Sequence, residues 1–363
     1  MHAEPANHDP STVHLITGER SNRASDGQRH VFATMDGLRG VAALAVAFYH
    51  MKALFAPIYP ASAFLAVDLF FCLSGFVIAH AYGTKLDHGM ALGRFAWLRI
   101  VRLYPLYALA LAIQAGMLLL SALIGRGSLS AGLRMILPAI TMLPNPWDRR
   151  LYPVNEPAWS LFFELAVNFV AALWWRRLSM KVLIGLVVTG AIGLIAVAVA
   201  TGTIDGGDMW RGFPLGLFRV WFSFFAGVLL YRCRGQITVP ALPPYLLTMT
   251  LVGVLFLASA VGVAGELFAV LVIFPVLVAL ASTTEPKKPT AMLALGRLSY
   301  AVYVLHIPLL SVALNLLVRL PVNPHPPLSG IIVVGGVVAV SWAADRWFDR
   351  PARRVLSAKR APA

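Results

Sequence analysis

Charge is what this chain has least of. Asp, Glu, Lys and Arg make up 13% of its 363 residues, about half the share of a soluble domain. With 59% hydrophobic residues and a mean hydropathy of +0.75, the composition excludes an ordinary soluble globule and indicates a polytopic membrane protein. Cysteine is nearly missing. Cys72 lies inside an apolar run and Cys233 in a basic turn, a spacing that suggests neither a disulfide framework nor a metal site. Acidic residues are fewer than basic ones, 16 against 30, and the net charge is +14. In a membrane protein that surplus gathers in cytoplasmic loops, so no nucleic-acid partner is expected. No apolar core precedes the first span, so residues 1–33 read as a polar, disordered cytoplasmic tail without a cleavable signal peptide. His2, His8, His14 and His30 in that tail are irregularly spaced, unlike a metal site. No period of 20–50 residues suggests a repeat array.

What is present is apolar length. Segments able to cross ~30 Å of hydrocarbon run over 36–55, 62–81, 103–124, 159–175, 182–200, 213–231, 243–262, 266–283, 292–318 and 328–347. The expected fold is therefore an all-α bundle of about ten transmembrane helices. The stretch 131–144 is apolar but short and broken by Pro138 and Pro144. Counting it as an eleventh span would put Arg176, Arg177, Lys287 and Lys288 outside, against the positive-inside rule. It is better read as a re-entrant or interfacial segment. That backbone is tolerated only beside protein or a water-filled cavity, which predicts an outer cavity near 125–158. The membrane domain is expected over 34–350, followed by a basic cytoplasmic tail, 351–363, too short for a soluble core.

The chemistry-bearing residues lie within these spans. Arg39 and His50 are eleven residues apart in the first span. At ~100° per residue they return to one helix face, about 16 Å apart along the axis. Ionisable groups in a lipid span are functional-site candidates, although a snorkelling arginine and a satisfied histidine also fit the pair. Asp68, in the outer half of the second span, is expected either to approach His50 or to make an interhelical hydrogen bond. Ser74 and Gly75 suit close helix packing. Arg99 and Arg102 share a helix face at i, i+3, and paired guanidinium forks suit phosphate oxyanions; ordinary inner-loop charge is the alternative. Glu164 sits one turn into the fourth span and is placed to orient His50 or bind a polar substrate, whereas Glu156 reads as a solvated loop residue. His306 is a second mid-membrane imidazole just before Pro308. A histidine beside a carboxylate is the arrangement of a general base that activates a hydroxyl.

Five blocks in order resemble the acyltransferase 3 family of integral membrane acyltransferases, over about residues 34–351. They are Asp36-Gly37-Leu38-Arg39-Gly40 with His50; Val67-Asp68-Leu69-Phe70-Phe71 with Leu73-Ser74-Gly75-Phe76; Arg99, Arg102 and Pro105; Trp159-Ser160-Leu161 with Glu164; and Ser299-Tyr300 with Tyr303, His306 and Pro308. The resemblance implies ten spans and transfer of an acyl group, commonly acetyl, from cytoplasmic acyl-CoA to sugar hydroxyls of bacterial surface or exported glycans. It implies that Arg39 and His50 are needed for activity. Phe348-Asp349-Arg350-Pro351 departs from the family, which more often has glutamate before a proline, and the hydrolase-like domain fused to some members is not expected here.

The expectation is a membrane O-acyltransferase of a bacterial inner membrane with both termini cytoplasmic. His50, Glu164 and Arg39 are the expected catalytic residues; Arg39, Arg99 and Arg102 are expected to hold acyl-CoA. Asp68, His306, Tyr303, Trp159 and Ser160 are the supporting residues. Acyl-CoA serves as co-substrate and no metal is expected. The expected partners are the lipid bilayer, a glycan or lipid-linked sugar acceptor, and polysaccharide-assembly proteins. His50 either removes the acceptor's proton or briefly carries the acyl group; both routes stay open. The rival reading is a proton-coupled transporter or flippase, since buried His, Glu and Asp also mark proton relays. The internal repeats and paired broken helices of transporters are not evident.

Overall fold

The computed structural model describes residues 32–236, 240–317 and 327–358. Along them run α1 (Ala33–His50), α2 (Ala66–Asp87), α3 (Leu92–Leu123), α4 (Leu129–Ile140), α5 (Ala158–Trp174), α6 (Met180–Thr201) and α7 (Phe213–Cys233). Then come α8 (Pro244–Leu257), α9 (Val263–Phe268), α10 (Phe274–Thr283), α11 (Thr290–Leu317), α12 (Leu328–Ala344) and α13 (Arg350–Ala358). Among the described residues there is no strand, and an isolated antiparallel bridge pairs Arg150 with Met209. The polar tail through residue 31 and the last five residues, 359–363, lie outside the described residues; the basic segment from 351 to 358 continues as α13.

The chain is an all-α polytopic membrane protein. Among the described residues nine helical stretches are long and apolar enough to cross a membrane, and they coincide with nine of the ten expected spans. The exception is α1. It carries Asp36 and Arg39 in its first turns, which dilute its apolar run, and it stops at His50 instead of running to 55. Pro57 and Pro60 follow, and residues before proline avoid helical backbone. The chain accordingly passes through short 3₁₀ turns into α2. α1 is nonetheless interior, packed chiefly on α11 and flanked by α2, α8 and α10.

Lipid-facing and protein-facing helices differ as the solvent dictates. α6 leaves Val182, Ile184, Val188, Ile192, Ile195 and Val199 exposed, a patch that water would penalise but lipid tails match. α2 and α7, in contrast, are largely buried against each other. Their backbones nearly touch. A Cβ on Gly75 would lie 2.0 Å from Phe224 O, and one on Gly227 2.0 Å from Cys72 O, the small-residue contact expected of Ser74-Gly75. Farther along the same pair, Asp68 and Arg219 form a buried ion pair at 2.6 Å, with side chains 0% and 1% exposed.

The segment expected to be interfacial forms α4, twelve residues long, which at ~18 Å is too short to span. Its last carbonyls lack intrahelical partners, and α3 satisfies them: Tyr107 OH donates to Ala139 O at 2.6 Å and Tyr104 OH to Ile140 O at 3.0 Å. Tyr152 OH donates to Met142 O at 2.5 Å. Burial pushes that phenol well above its ordinary range, so it remains a donor.

Candidate active site

α1 and α11 approach so closely that a Cβ on Gly296 would lie 2.4 Å from Asp36 Cβ, and one on Gly40 2.5 Å from Leu295 Cβ. That approach seats Arg39 against α11. Its Nε donates to Ser299 Oγ at 3.1 Å, and its Nη2 donates to Asp36 Oδ1 at 2.5 Å and Gly296 O at 3.4 Å. A vestibule of about 360 Å³ opens beside it. Arg39, Arg102 from α3, Arg297 from α11 and Arg350, Arg353 and Arg354 from α13 line this space, with Asp36 and Asp345 among them. A π-helical turn, Asp345–Asp349, organises the α13 side. Asp345 accepts from Arg350 Nε at 2.9 Å and Nη2 at 2.5 Å, and the fully buried Asp349 accepts from Arg353.

Arg39, Arg102, Ser299 and Tyr300 also line a second, inner chamber of about 100 Å³. Here Glu164 from α5 is fixed from two sides. Its Oε1 accepts from Ser74 Oγ at 2.8 Å and from Arg99 Nη2 at 2.9 Å. Arg99 is 5% exposed, so each charge of this pair depends on the other. Val67, Phe70, Phe71, Leu73 and Val77 make much of the remaining wall apolar. Ser160 Oγ and Tyr303 OH lie 2.7 Å apart, and both line the chamber.

Tyr303 and Val67 are shared with a third chamber, of about 480 Å³. His50 lines it together with Tyr49, Glu156, Trp159, Asp205, Asp208, Arg211 and Arg219. Tyr49 OH donates to Asp205 Oδ2 at 3.1 Å. Of the stretch 125–158, where an outer cavity was expected, only Glu156 and Pro157 line this chamber; the rest of its wall comes from Phe64, α1, α2, α5, α7, α11 and residues 205–212. Arg219 stacks over the Trp159 ring at 5.4 Å and donates to Gly206 O and Phe64 O at 2.8 Å each.

The hydrogen-bond partners of the two imidazoles assign their tautomers. His306 Nδ1 lies 2.8 Å from Tyr303 O and 3.2 Å from Val302 O. Carbonyls only accept, so Nδ1 carries the hydrogen and Nε2 of the neutral ring is an acceptor. His50 Nδ1 lies 3.0 Å from Val46 O and 3.3 Å from His306 Nε2. Both are acceptors, so His50 also carries its hydrogen on Nδ1, and its Nε2 is the basic nitrogen. The neighbouring helix is held in place by a further contact. Pro308 lacks the N–H that would bond Val304 O, and Asn155 Nδ2 donates to that carbonyl instead, at 3.2 Å.

The structure thus brings together residues that the sequence only suggested. Arg39, Arg99, Arg102, Glu164, Ser160 and Tyr303 line one connected space, and His50 meets His306. Glu164 is held by Arg99 and Ser74 rather than by His50, and Arg99 lines the inner chamber but not the vestibule. Asp68 takes the interhelical alternative and bonds Arg219. Arg219 was legible as a charge inside an apolar run, the same signal that singles out Arg39. Arg297, Arg350, Arg353 and Arg354 read as ordinary inner-loop charge, and Asp205 as a loop residue; no local pattern marks them.

A family model described as an acyltransferase domain matches residues 32–346. A relative named protein 2 in the picA locus, from Rhizobium radiobacter, is 42% identical over 184 residues, covering 46% of this chain and 94% of that protein. No solved structure matches.

Proposed function

The chain belongs to the acyltransferase 3 family of membrane proteins, and from that premise we propose that it transfers an acyl group, most simply acetyl, from cytoplasmic acyl-CoA to a hydroxyl of a cell-surface or exported glycan. The host membrane is a bacterial inner membrane. Loop charge supports the orientation. Arg176, Arg177, Arg232, Arg234, Lys287 and Lys288 follow helices that end on the Arg39 side, and such loops stay cytoplasmic. The observation that carries the reading is the row of three chambers. A basic vestibule adjoins a narrow inner chamber, and that chamber shares Tyr303 with the space lined by His50.

In this reading Arg39 and Arg102 hold the coenzyme's phosphates, with Arg39 preset by Ser299 and Asp36. The pantetheine arm, ~15 Å when extended like a four- to five-residue peptide, threads the inner chamber. That matches the ~16 Å rise from Arg39 to His50. The acceptor sugar lies in the third chamber, beside Trp159 and the carboxylates of Glu156 and Asp205. His50 Nε2 takes the hydroxyl proton as the oxygen attacks the thioester carbonyl. The new C–O bond forms, the C–S bond breaks, and the proton passes from His50 to the departing thiolate. While His50 is cationic, its Nδ1–H donates to the neutral His306 Nε2. Proton transfer of this kind contributes about 10²–10⁴-fold. Glu164 and Arg99 shape the inner chamber, and the Ser160–Tyr303 pair stands between it and the acceptor space.

The test uses inverted membrane vesicles given labelled acetyl-CoA. Label should enter lipid-linked or polymeric glycan with the intact protein and not with His50→Ala. Neither coenzyme binding nor transfer in the intact protein would overturn the reading in favour of a transporter.

A further inference from the structure

Six arginines against two aspartates leave the vestibule a formal excess of four positive charges; Asp349, buried behind Arg353, lowers it to three. Guanidinium groups gathered round a cavity repel one another unless a polyanion lies between them. The arginines fall into two sets. Arg39 and Arg102 line both the vestibule and the inner chamber, so they meet whatever joins the two. Arg297, Arg350, Arg353 and Arg354 line the vestibule but not the inner chamber. Arg350 and Arg353 are tied to Asp345 and Asp349, whereas Arg297 and Arg354 make no hydrogen bond or ion pair among the described residues. Their donors remain available.

Building on the acyl-CoA reading, we infer that the α11–α13 side of the vestibule, with Arg297 and Arg354 as its free donors, binds the 3′-phosphate of the coenzyme's ribose and makes the protein selective for CoA thioesters over donors lacking that group. The charges correspond. A diphosphate and a ribose monoester carry roughly −3.5 to −4 at neutral pH, the monoester contributing about −1.5 to −2. Arg39 and Arg102 take the diphosphate, next to the neutral pantetheine in the apolar chamber. The monoester then falls among the arginines of α11 and α13, whose forks bind phosphate oxygens bidentately. An acyl group carried on a protein-bound phosphopantetheine has no such monoester and leaves this side empty. The π-turn carboxylates act as positioning residues that hold Arg350 and Arg353 toward the cavity. An anionic lipid headgroup offers the same phosphate chemistry, and the experiment separates the two.

Binding of CoA, 3′-dephospho-CoA and 4′-phosphopantetheine is measured on the full-length protein in nanodiscs of zwitterionic lipid and, in parallel, of lipid containing phosphatidylglycerol. The intact protein should bind CoA at least about tenfold more tightly than 3′-dephospho-CoA, a difference of ~1.4 kcal/mol. Arg297→Gln with Arg354→Gln should reduce that ratio towards one while leaving the affinity for 3′-dephospho-CoA within about twofold. Both side chains are exposed, so the fold should tolerate the change. Equal binding of the two coenzymes by the intact protein overturns the inference while leaving the acyl-CoA reading intact. So does equal weakening of both by the double variant. If the variants alter phosphatidylglycerol retention and not the coenzyme ratio, the vestibule holds a headgroup and the inference fails. Absence of any coenzyme binding overturns the acyl-CoA reading and this inference with it.

Discussion

Removing His306 should slow the chemical step without touching coenzyme affinity. In the resting enzyme His50 Nδ1–H is shared between Val46 O at 3.0 Å and His306 Nε2 at 3.3 Å. His306→Ala takes away one acceptor, but the Val46 carbonyl still fixes the tautomer, so Nε2 stays basic. The loss falls where His50 becomes an imidazolium and its hydrogen bond to His306 becomes charge-assisted. Such bonds contribute ~1.5–3 kcal/mol, which converts to a fall in kcat of about 10- to 150-fold. His50→Ala removes the base itself and should cost more, about 10²–10⁴-fold. His306 lines neither the vestibule nor the inner chamber, so KM for acetyl-CoA should stay within about twofold. In His306→Gln an amide oxygen can accept from His50, and part of the rate should return. The assay is steady-state acetyl transfer by purified protein, with thermal unfolding followed alongside. The reasoning is refuted if His306→Ala leaves kcat unchanged, or if it raises KM while kcat holds.

Three other substitutions probe the supports of the site. Asp68→Asn leaves Arg219 charged at 1% exposure and should destabilise the protein by ~3–5 kcal/mol; Asp68→Asn with Arg219→Gln should recover much of that loss in thermal unfolding. Arg99→Ala and Glu164→Ala should each destabilise the inner chamber, and the double variant should cost less than their sum by at least ~1 kcal/mol. Additive effects in that cycle would show that the 2.9 Å contact contributes nothing. Arg39→Lys keeps the charge but lacks the fork that binds Ser299 and Asp36 together. KM for acetyl-CoA should rise about tenfold, roughly 1.4 kcal/mol.

The bundle was legible because lipid imposes one rule on every span: about twenty apolar residues with their backbone satisfied within the helix. The rule gave way at α1, whose Asp36 and Arg39 line the vestibule and whose His50 lines the third chamber, at the expense of apolarity. Rare charge in apolar surroundings likewise exposed Arg39, His50, Glu164 and His306, since such groups have few other reasons to be there. Their partners were not legible. Helical spacing places Arg39 and His50 on one stripe, but which neighbour faces each depends on interhelical contacts between residues as far apart as 50 and 306. For the same reason Glu164 could be assigned to His50 from depth alone, whereas packing gives it to Arg99 and Ser74. Arg297, Arg350, Arg353 and Arg354 lie in basic stretches where positive-inside charge is ordinary, and only the packing of α13 against α3 places the α13 arginines beside the same space as Arg39 and Arg102.

In the proposed through-membrane path, donor and acceptor enter from opposite membrane faces and meet at His50. Purified protein is reconstituted in liposomes with a soluble glycan acceptor sealed in the lumen and labelled acetyl-CoA added outside. Labelled acceptor should accumulate inside, at a rate set by the fraction of molecules with the Arg39 vestibule outward, and none should form with His50→Ala. Acylation only when acceptor and coenzyme share a compartment would contradict the through-membrane path.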